Sequence, residues 1–370
     1  MRVLFAGGGT GGHLYPGLAI ARALTRVRPD VEPFFIGAER GVERDVLPAA
    51  GLPYRLLDLH PLYRSRPWRS WRTVAGFARA WRSLGEIARA ERPVLVVGTG
   101  GYASGAALAW AVRARVPLVL QEQNSYPGMT TRLFARWARE VYLGYGEAAA
   151  RVRVRPTAWL GETGNPIAPP PEPRPARAAA RREWGVPDAG GAVVLAFGGS
   201  QGARPINDAL AGWVERGLPD GVYLIWATGR GSHDRYAHLD APRVRVVPYL
   251  APIERAYAAA DLAITRSGAL TLAELCAWGI PSILVPLPTS AAGHQAANAR
   301  VLADAGAAVE VPQTALTPQR LEAEVRRLTG EPAVLAALAR QAAARGRPHA
   351  AEDIAGRIAH LLTVPSPPAA

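Results

Sequence analysis

The stretch "FAGGGTGGHLYPGLAIARAL", residues 5–24, decides the fold, and it holds six glycines and one histidine. The apolar run Val3 to Ala6 predicts a buried strand. Leu18, Ile20, Ala21 and Leu24 recur at helical spacing, and the glycines between predict a tight turn. Glycines let backbone N–H groups approach an anion without a Cβ in the way, and the new helix adds the positive end of its dipole. A phosphate is therefore the first ligand expected at this turn. Gly7, Gly9 and Gly12 satisfy the G-x-G-x-x-G spacing of a dinucleotide site, a pattern that also arises where a strand simply packs on a helix. His13, on the first helical turn, is the element that neither explanation requires.

Outward from this stretch, strand-like runs alternate with helical patterns. They are "VEPFFIG", "PVLVVGTGG" and "PLVLQEQ" in the first half, then "AVVLAFGGS", "VYLIWATG", "VRVVPYL", "LAITRSG" and "PSILVPLP" in the second. Such alternation predicts parallel sheets covered by helices. "AVVLAFGGSQGA" repeats the opening design. Between the halves lies "GNPIAPPPEPRPARAAARREWG", whose prolines at 166, 169, 170, 171, 173 and 175 exclude continuous helix or sheet. The predicted organisation is α/β, two Rossmann-like domains with parallel sheets facing across a cleft. Its boundaries are an N-terminal domain 1–163, a linker 164–180, a C-terminal domain 181–363 and a disordered tail 364–370.

At 370 residues and 49% hydrophobic, the chain can build two cores of ordinary size. Cys276 is the only cysteine, which excludes an intrachain disulfide. No run of about 20 apolar residues could span a bilayer, and "MRVLFAGGG" lacks the h-region of a cleavable signal. A cytoplasmic chain is expected. The net charge of +13 comes from arginine alone, as the sequence has no lysine. The arginines are dispersed and no RNA- or DNA-binding motif accompanies them, so nucleic acid is not an expected partner. One segment has patterned charge: in "YRSRPWRSWRTVAGFARAWRSL", Trp68, Trp71, Phe77 and Trp81 interleave with arginines. Such a helix is either core-facing with a solvated basic face or lies in a membrane interface, aromatic rings at headgroup depth.

Three glycine turns stand at predicted strand ends: Gly7–Gly12, Gly98–Gly105 and Gly198–Gly202. A dehydrogenase needs one, followed about 20 residues on by an acidic group for the ribose, and Glu39 fits that place only loosely. In "RSGALTLAE", residues 266–274, backbone amides at Gly268, Ala269 and Leu270 open a helix toward a diphosphate. Glu274, one turn later, can accept ribose hydroxyls. An ordinary capped helix with a solvated glutamate would have the same sequence. No cluster with metal-ligand spacing is present, so neither metal nor cofactor is expected.

"GGGTGGH" (7–13), "GTGGYASG" (98–105), "QEQN" (121–124), "GNP" (164–166), "GGSQGAR" (198–204), "RSGALT" (266–271) with Glu274, and "HQAANA" (294–299) run in order along nearly the whole chain. Together they resemble the MurG family of GT-B glycosyltransferases. The resemblance implies transfer of N-acetylglucosamine from UDP-N-acetylglucosamine to lipid I, an undecaprenyl-linked acceptor, giving lipid II for peptidoglycan. It implies a peripheral enzyme on the cytoplasmic face of an anionic membrane, without a metal requirement. Other GT-B enzymes, a glycolipid synthase or a UDP-N-acetylglucosamine 2-epimerase, are the alternatives.

By similarity, Glu274 grips the ribose, Ser200 and Ala269-Leu270-Thr271 the diphosphate, Leu250 the uracil through its backbone, and Gln295 the sugar hydroxyls. Thr10, Gly12 and Asn124 join the donor set from the first half, and Tyr102 and Ser104 lie on the acceptor side. Inverting transfer needs a base for the attacking hydroxyl. His13 is available, and Glu122 could share or replace that role. After "GNP" the family carries a hydrophobic residue and then an arginine that reaches the nucleotide. Here Ile167 is followed by Ala168, which leaves Arg204 or Arg266 as substitutes.

Overall fold

The computed structural model describes residues 1–59, 70–187, 190–199 and 201–363, without the side chains of 70–78. Trp68, Ser200 and the tail 364–370 lie outside the described residues, as do the side chains of Trp71 and Phe77. The chain forms two compact units, Met1–Ala168 with His349–Ala370, and Pro169–Pro348.

The first unit is built on a seven-stranded sheet of β1 (Arg2–Gly7), β2 (Glu32–Ala38), β3 (Tyr54–Leu57), β4 (Leu95–Gly100), β5 (Leu118–Glu122), β6 (Glu140–Leu143) and β7 (Trp159–Glu162). Its order is β3-β2-β1-β4-β5-β6-β7 and every pairing is parallel. Helices α1 (Gly11–Val27), α2 (Glu43–Ala50), α3 (Ser70–Glu91), α4 (Ser104–Ala114) and α5 (Met129–Phe134) accompany it. The second unit carries β8 (Ala192–Phe197), β9 (Val222–Ala227), β10 (Val244–Val247), β11 (Leu262–Thr265), β12 (Ser282–Leu284) and β13 (Ala308–Glu310), in the parallel order β10-β9-β8-β11-β12-β13. Its helices are α6 (Arg177–Glu183), α7 (Arg204–Arg216), α8 (His233–Tyr236), α9 (Ile253–Ala259), α10 (Ala269–Trp278), α11 (His294–Asp304), α12 (Pro318–Gly330) and α13 (Pro332–Arg345).

Both sheets obey the same physics. A parallel strand is covered on both faces, so its sequence is a continuous apolar run, and Val3, Leu4, Phe5 and Ala6 are all buried. Phe5 stacks on Phe35 of the neighbouring strand at 5.1 Å between ring centres. Central β1 and β8 each open into a glycine turn at their C-terminal ends, where ligands of such sheets bind.

The bounds differ from the expected 1–163 and 181–363: the units divide between Ala168 and Pro169, inside the expected linker 164–180, and the second unit ends at Pro348. The last helix, α14 (Ala350–Thr363), packs on α1 and belongs to the first unit. Ile354, Ala355 and Ile358 are fully buried in the core that also holds Leu14, Leu18 and Leu24. Burial stabilises each isoleucine by roughly 1.5–3 kcal/mol. Arg357 adds a 2.6 Å bond to the buried Glu140 and stacks 3.5 Å from the centre of the Trp159 ring. An apolar helical stripe in a sequence shows that a partner is needed, and not which domain supplies it.

Candidate functional site

In the first unit the Gly7–Gly12 and Gly98–Gly105 turns lie against each other. Gly8 N–H donates to Gly100 O at 3.4 Å, and a Cβ on Gly101 would stand 2.0 Å from Gly8 O. A Cβ on Gly9 would meet the Tyr102 ring at 2.4 Å. Close packing of turn on turn thus accounts for these glycines. The expected phosphate cradle is altered in one respect: the fully buried Glu43 carboxylate of α2 accepts from Gly9 N–H at 2.8 Å and Ala38 N–H at 3.1 Å. An internal anion therefore takes one amide that a phosphate would use. Exposed Thr10 and Gly12 remain at the start of α1, which has no side-chain cap.

His13 is half-buried, its ring against Gly100 and Gly101. Its Nδ1 lies 2.8 Å from Gln123 Oε1 and 3.2 Å from Thr99 O, while Thr99 Oγ1 donates to the His13 carbonyl at 2.7 Å. Tyr102 is half-buried beside it in the second turn. Ser104 is fully buried, and its hydroxyl donates to Gly101 O at 3.0 Å, so it holds the turn.

Glu122 is buried, and both its oxygens are occupied. Asn124 N–H and Nδ2 donate to one at 3.0 and 3.2 Å; Gly128 N–H and Thr131 Oγ1 donate to the other at 2.8 and 2.6 Å. With four donors the carboxylate pins the loop from β5 to α5 and has no lone pair left to act as a base. The same bonds place Asn124 at the loop's start.

In the second unit the Gly198–Gly202 turn follows β8, and a Cβ on Gly202 would stand 2.0 Å from Thr228 O. The "RSGALT" segment links β11 to α10, whose N-cap Gly268 has no side chain to occupy the first amides. Among the described residues Ala269, Leu270 and Thr271 N–H, the first amides of α10, have no acceptor. Glu274 lies one turn on, four residues after Leu270 and three after Thr271, and so on their face of the helix. Its Oε2 accepts a 2.7 Å bond from the hydroxyl of buried Tyr257, whose ring packs between Phe197 and Trp278. Burial raises the Glu274 pKa, and the Tyr257 bond opposes that rise.

Ser267 Oγ donates to Gln295 O at 2.7 Å, and Gln295 Oε1 accepts from Leu287 N–H at 2.9 Å, which turns the amide nitrogen of Gln295 outward as a donor. Leu250 buries its side chain in the core, and among the described residues its N–H and C=O have no partner. Of the two arginines considered for the place at Ala168, Arg266 is buried. It donates to Val285 O, Pro286 O and Gln313 Oε1, and burial lowers its pKa. Arg204 keeps 73% of its side chain exposed, with only a 3.5 Å contact to Asp208.

Three residues that the sequence did not single out emerge here: Glu43, Tyr257 and Gln123. For Gln123 a signal existed, since the alternation of β5, carried one residue past its end at Glu122, sends Gln121 and Gln123 to one side and Glu122 to the other.

Residues 3–143 match the glycosyltransferase family 28 N-terminal domain, and residues 193–354 the glycosyltransferase family 28 C-terminal domain. The chain belongs to glycosyltransferase family 28. Within family 28 it is 41% identical to the UDP-N-acetylglucosamine--N-acetylmuramyl-(pentapeptide) pyrophosphoryl-undecaprenol N-acetylglucosamine transferase of Desulforudis audaxviator, over 96% of each chain. Its structure is similar to that of Acinetobacter baumannii MurG, with a TM-score of 0.78 and 26% identity over 97% of this chain and 99% of that one. The expected GT-B fold and the MurG resemblance therefore hold. A UDP-N-acetylglucosamine 2-epimerase, 14% identical with a TM-score of 0.63 over 100% of this chain and 98% of that one, shares the fold alone.

Proposed function

We infer that the chain is an inverting glycosyltransferase that moves N-acetylglucosamine from UDP-N-acetylglucosamine to the 4-hydroxyl of the N-acetylmuramoyl residue of lipid I, giving lipid II for peptidoglycan. The full-length likeness to the Desulforudis transferase carries this reading, and the open start of α10 with Glu274 one turn later supports it. In the second unit, Glu274 accepts the ribose hydroxyls, the Ala269-Leu270-Thr271 amides and Ser200 hold the diphosphate, Leu250 presents its backbone to the uracil, and Gln295 donates to a sugar hydroxyl. As the acceptor oxygen bonds to C1, the C1–oxygen bond to the diphosphate breaks. The charge that develops on UDP meets amides already oriented toward it.

In the first unit His13 takes the proton of the attacking hydroxyl, while Thr10, Gly12 and Asn124 extend the donor set and Tyr102 and Ser104 shape the acceptor side. Glu122, saturated by its loop, does not compete for the proton. Among the described residues no helix is long and apolar enough to cross a membrane. The chain meets its undecaprenyl-linked substrate at the surface of an anionic bilayer through the Trp/Arg segment that includes Trp68, Trp71, Phe77 and half-buried Trp81.

The test is incubation with UDP-N-acetylglucosamine and a lipid I analogue, followed by detection of the disaccharide product. With His13→Ala, turnover is expected to fall by about 10²–10⁴, the contribution of a positioned base, with UDP affinity unchanged. Absence of product from the native chain overturns the reaction; native turnover in the variant overturns the base.

A further inference from the structure

A chain of buried amides runs behind His13. Asn165, in the "GNP" segment after β7, donates its Nδ2 to the Gln123 backbone carbonyl at 3.0 Å. A carbonyl can only accept, so this bond fixes which end of the Asn165 amide is nitrogen. Asn165 Oδ1 then faces Gln121 and accepts from its Nε2 at 3.2 Å. That leaves Gln121 Oε1 to accept from Gln123 Nε2 at 2.5 Å, and the same Nε2 also lies 2.8 Å from Thr99 O and 3.2 Å from Gln121 O. Flipping the Gln123 amide would set its oxygen against three acceptors. Its Oε1 is therefore committed to His13 Nδ1 at 2.8 Å.

We propose that Gln123 is the positioning residue of the transfer reaction, fixing His13 as the tautomer with hydrogen on Nδ1 and the lone pair on Nε2. Both atoms facing Nδ1, Gln123 Oε1 and Thr99 O, are acceptors, so Nδ1 must carry the proton. Nε2 has no partner among the described residues and is the nitrogen free to receive a proton from substrate. A free histidine side chain prefers hydrogen on Nε2, the tautomer that could not act as this base. The amides reverse that preference. The amide partner orients the ring without placing a charge beside it, and the turn contributes by packing: Cβ atoms on Gly100 and Gly101 would each stand 3.0 Å from the ring.

Gln121, Gln123 and Asn165 are all buried with 2% or less exposure, so solvent does not offer the amides other partners. The chain also explains why "QEQN" and "GNP" occur together: the second supplies the donor that sets the direction of the first.

The role of Gln123 rests on His13 being the base, and the experiment separates the two claims. The full chain is produced with ¹⁵N,¹³C-histidine, the His13 signal is assigned by its loss in His13→Ala, and the neutral tautomer is read from its ring nitrogen shifts. The expected result is hydrogen on Nδ1 in the native chain. Gln123→Met, similar in size but without an acceptor, should move His13 toward hydrogen on Nε2. It should also lower kcat with the donor KM unchanged, by about 10–100-fold if the bond matters as much as those that orient metal-ligating histidines. Hydrogen on Nε2 in the native chain overturns the proposal, whether or not the variant folds. A native Nδ1 tautomer that survives in Gln123→Met also overturns it. If the tautomer changes and kcat does not, Gln123 orients His13 but His13 is not the base.

Discussion

Glu122 in the first unit and Glu274 in the second both stand at or beyond the C-terminal end of a parallel strand, yet their surroundings are opposite. Glu122 is buried and surrounded by four donors from its own loop. Glu274 is half-buried, with one donor, the Tyr257 hydroxyl, and an oxygen left over at the mouth of an uncapped helix. A carboxylate saturated by the protein is part of the scaffold; one left incomplete has room for a further donor. The amide chain behind His13 is saturated in the same way, whereas Glu43 takes both of its donors on Oε1 and its buried Oε2 has no partner among the described residues.

The contrast predicts two different failures for the same substitution. Glu122→Ala leaves four donors without an acceptor and should lower the folding stability of the first unit by on the order of 3 kcal/mol, measured by urea unfolding. UDP affinity should change far less than in Glu274→Ala, through the loosened Asn124 alone. A Glu122→Ala chain that unfolds at the native urea concentration but has lost turnover would make Glu122 the base and dissolve the distinction.

Glu274→Ala should do the reverse. Removing a charged acceptor of ribose hydroxyls weakens UDP binding by roughly 1.5–3 kcal/mol, or about 10- to 150-fold, while folding stability falls only by the cost of one unpaired donor, the Tyr257 hydroxyl, about 1 kcal/mol. Calorimetric titration with UDP measures it. Native affinity in this variant would move the nucleotide away from "RSGALTLAE" and leave both glutamates structural.

The sequence made one side of this contrast legible and hid the other. Continuous apolar runs ending in glycines sufficed for both sheets, because a doubly covered parallel strand has no polar face to confuse the pattern. Glu274 was found because its relation to the helix start is local, set by the pitch of α10. Groups that depend on tertiary contact were not. Glu43 reaches Gly9 across 34 residues, Tyr257 reaches Glu274 across 17, and Gln123 reaches His13 across 110. The expectation of a phosphate at the first turn was weakened by Glu43 for this reason, since a glycine turn looks the same in sequence whether its amides hold a ligand or a carboxylate of the same chain. The docking of α14 on α1 was hidden in the same way.

The smallest expected effect sharpens the comparison most, because it concerns the one donor that Glu274 has among the described residues. Tyr257→Phe removes the hydroxyl and keeps the ring that packs between Phe197 and Trp278, so folding should be nearly unchanged. Loss of one hydrogen bond to the carboxylate should weaken UDP binding by about 0.5–1.5 kcal/mol, a two- to tenfold change. The pH dependence gives the sharper readout. Burial raises the Glu274 pKa most, the nearby Glu254 charge raises it further, and the Tyr257 bond pulls it down. The ionised carboxylate is the form that accepts ribose hydroxyls, so UDP affinity is full above that pKa and falls as the pH drops through it. Without the hydroxyl the downward pull is gone, the pKa rises, and the fall in affinity should begin at a higher pH in the variant than in the native chain. Calorimetric titrations with UDP across a pH series would show the displaced limb. Coincident curves of equal affinity would mean that Tyr257 serves the core alone, and that Glu274 meets its ligand with no help from the protein.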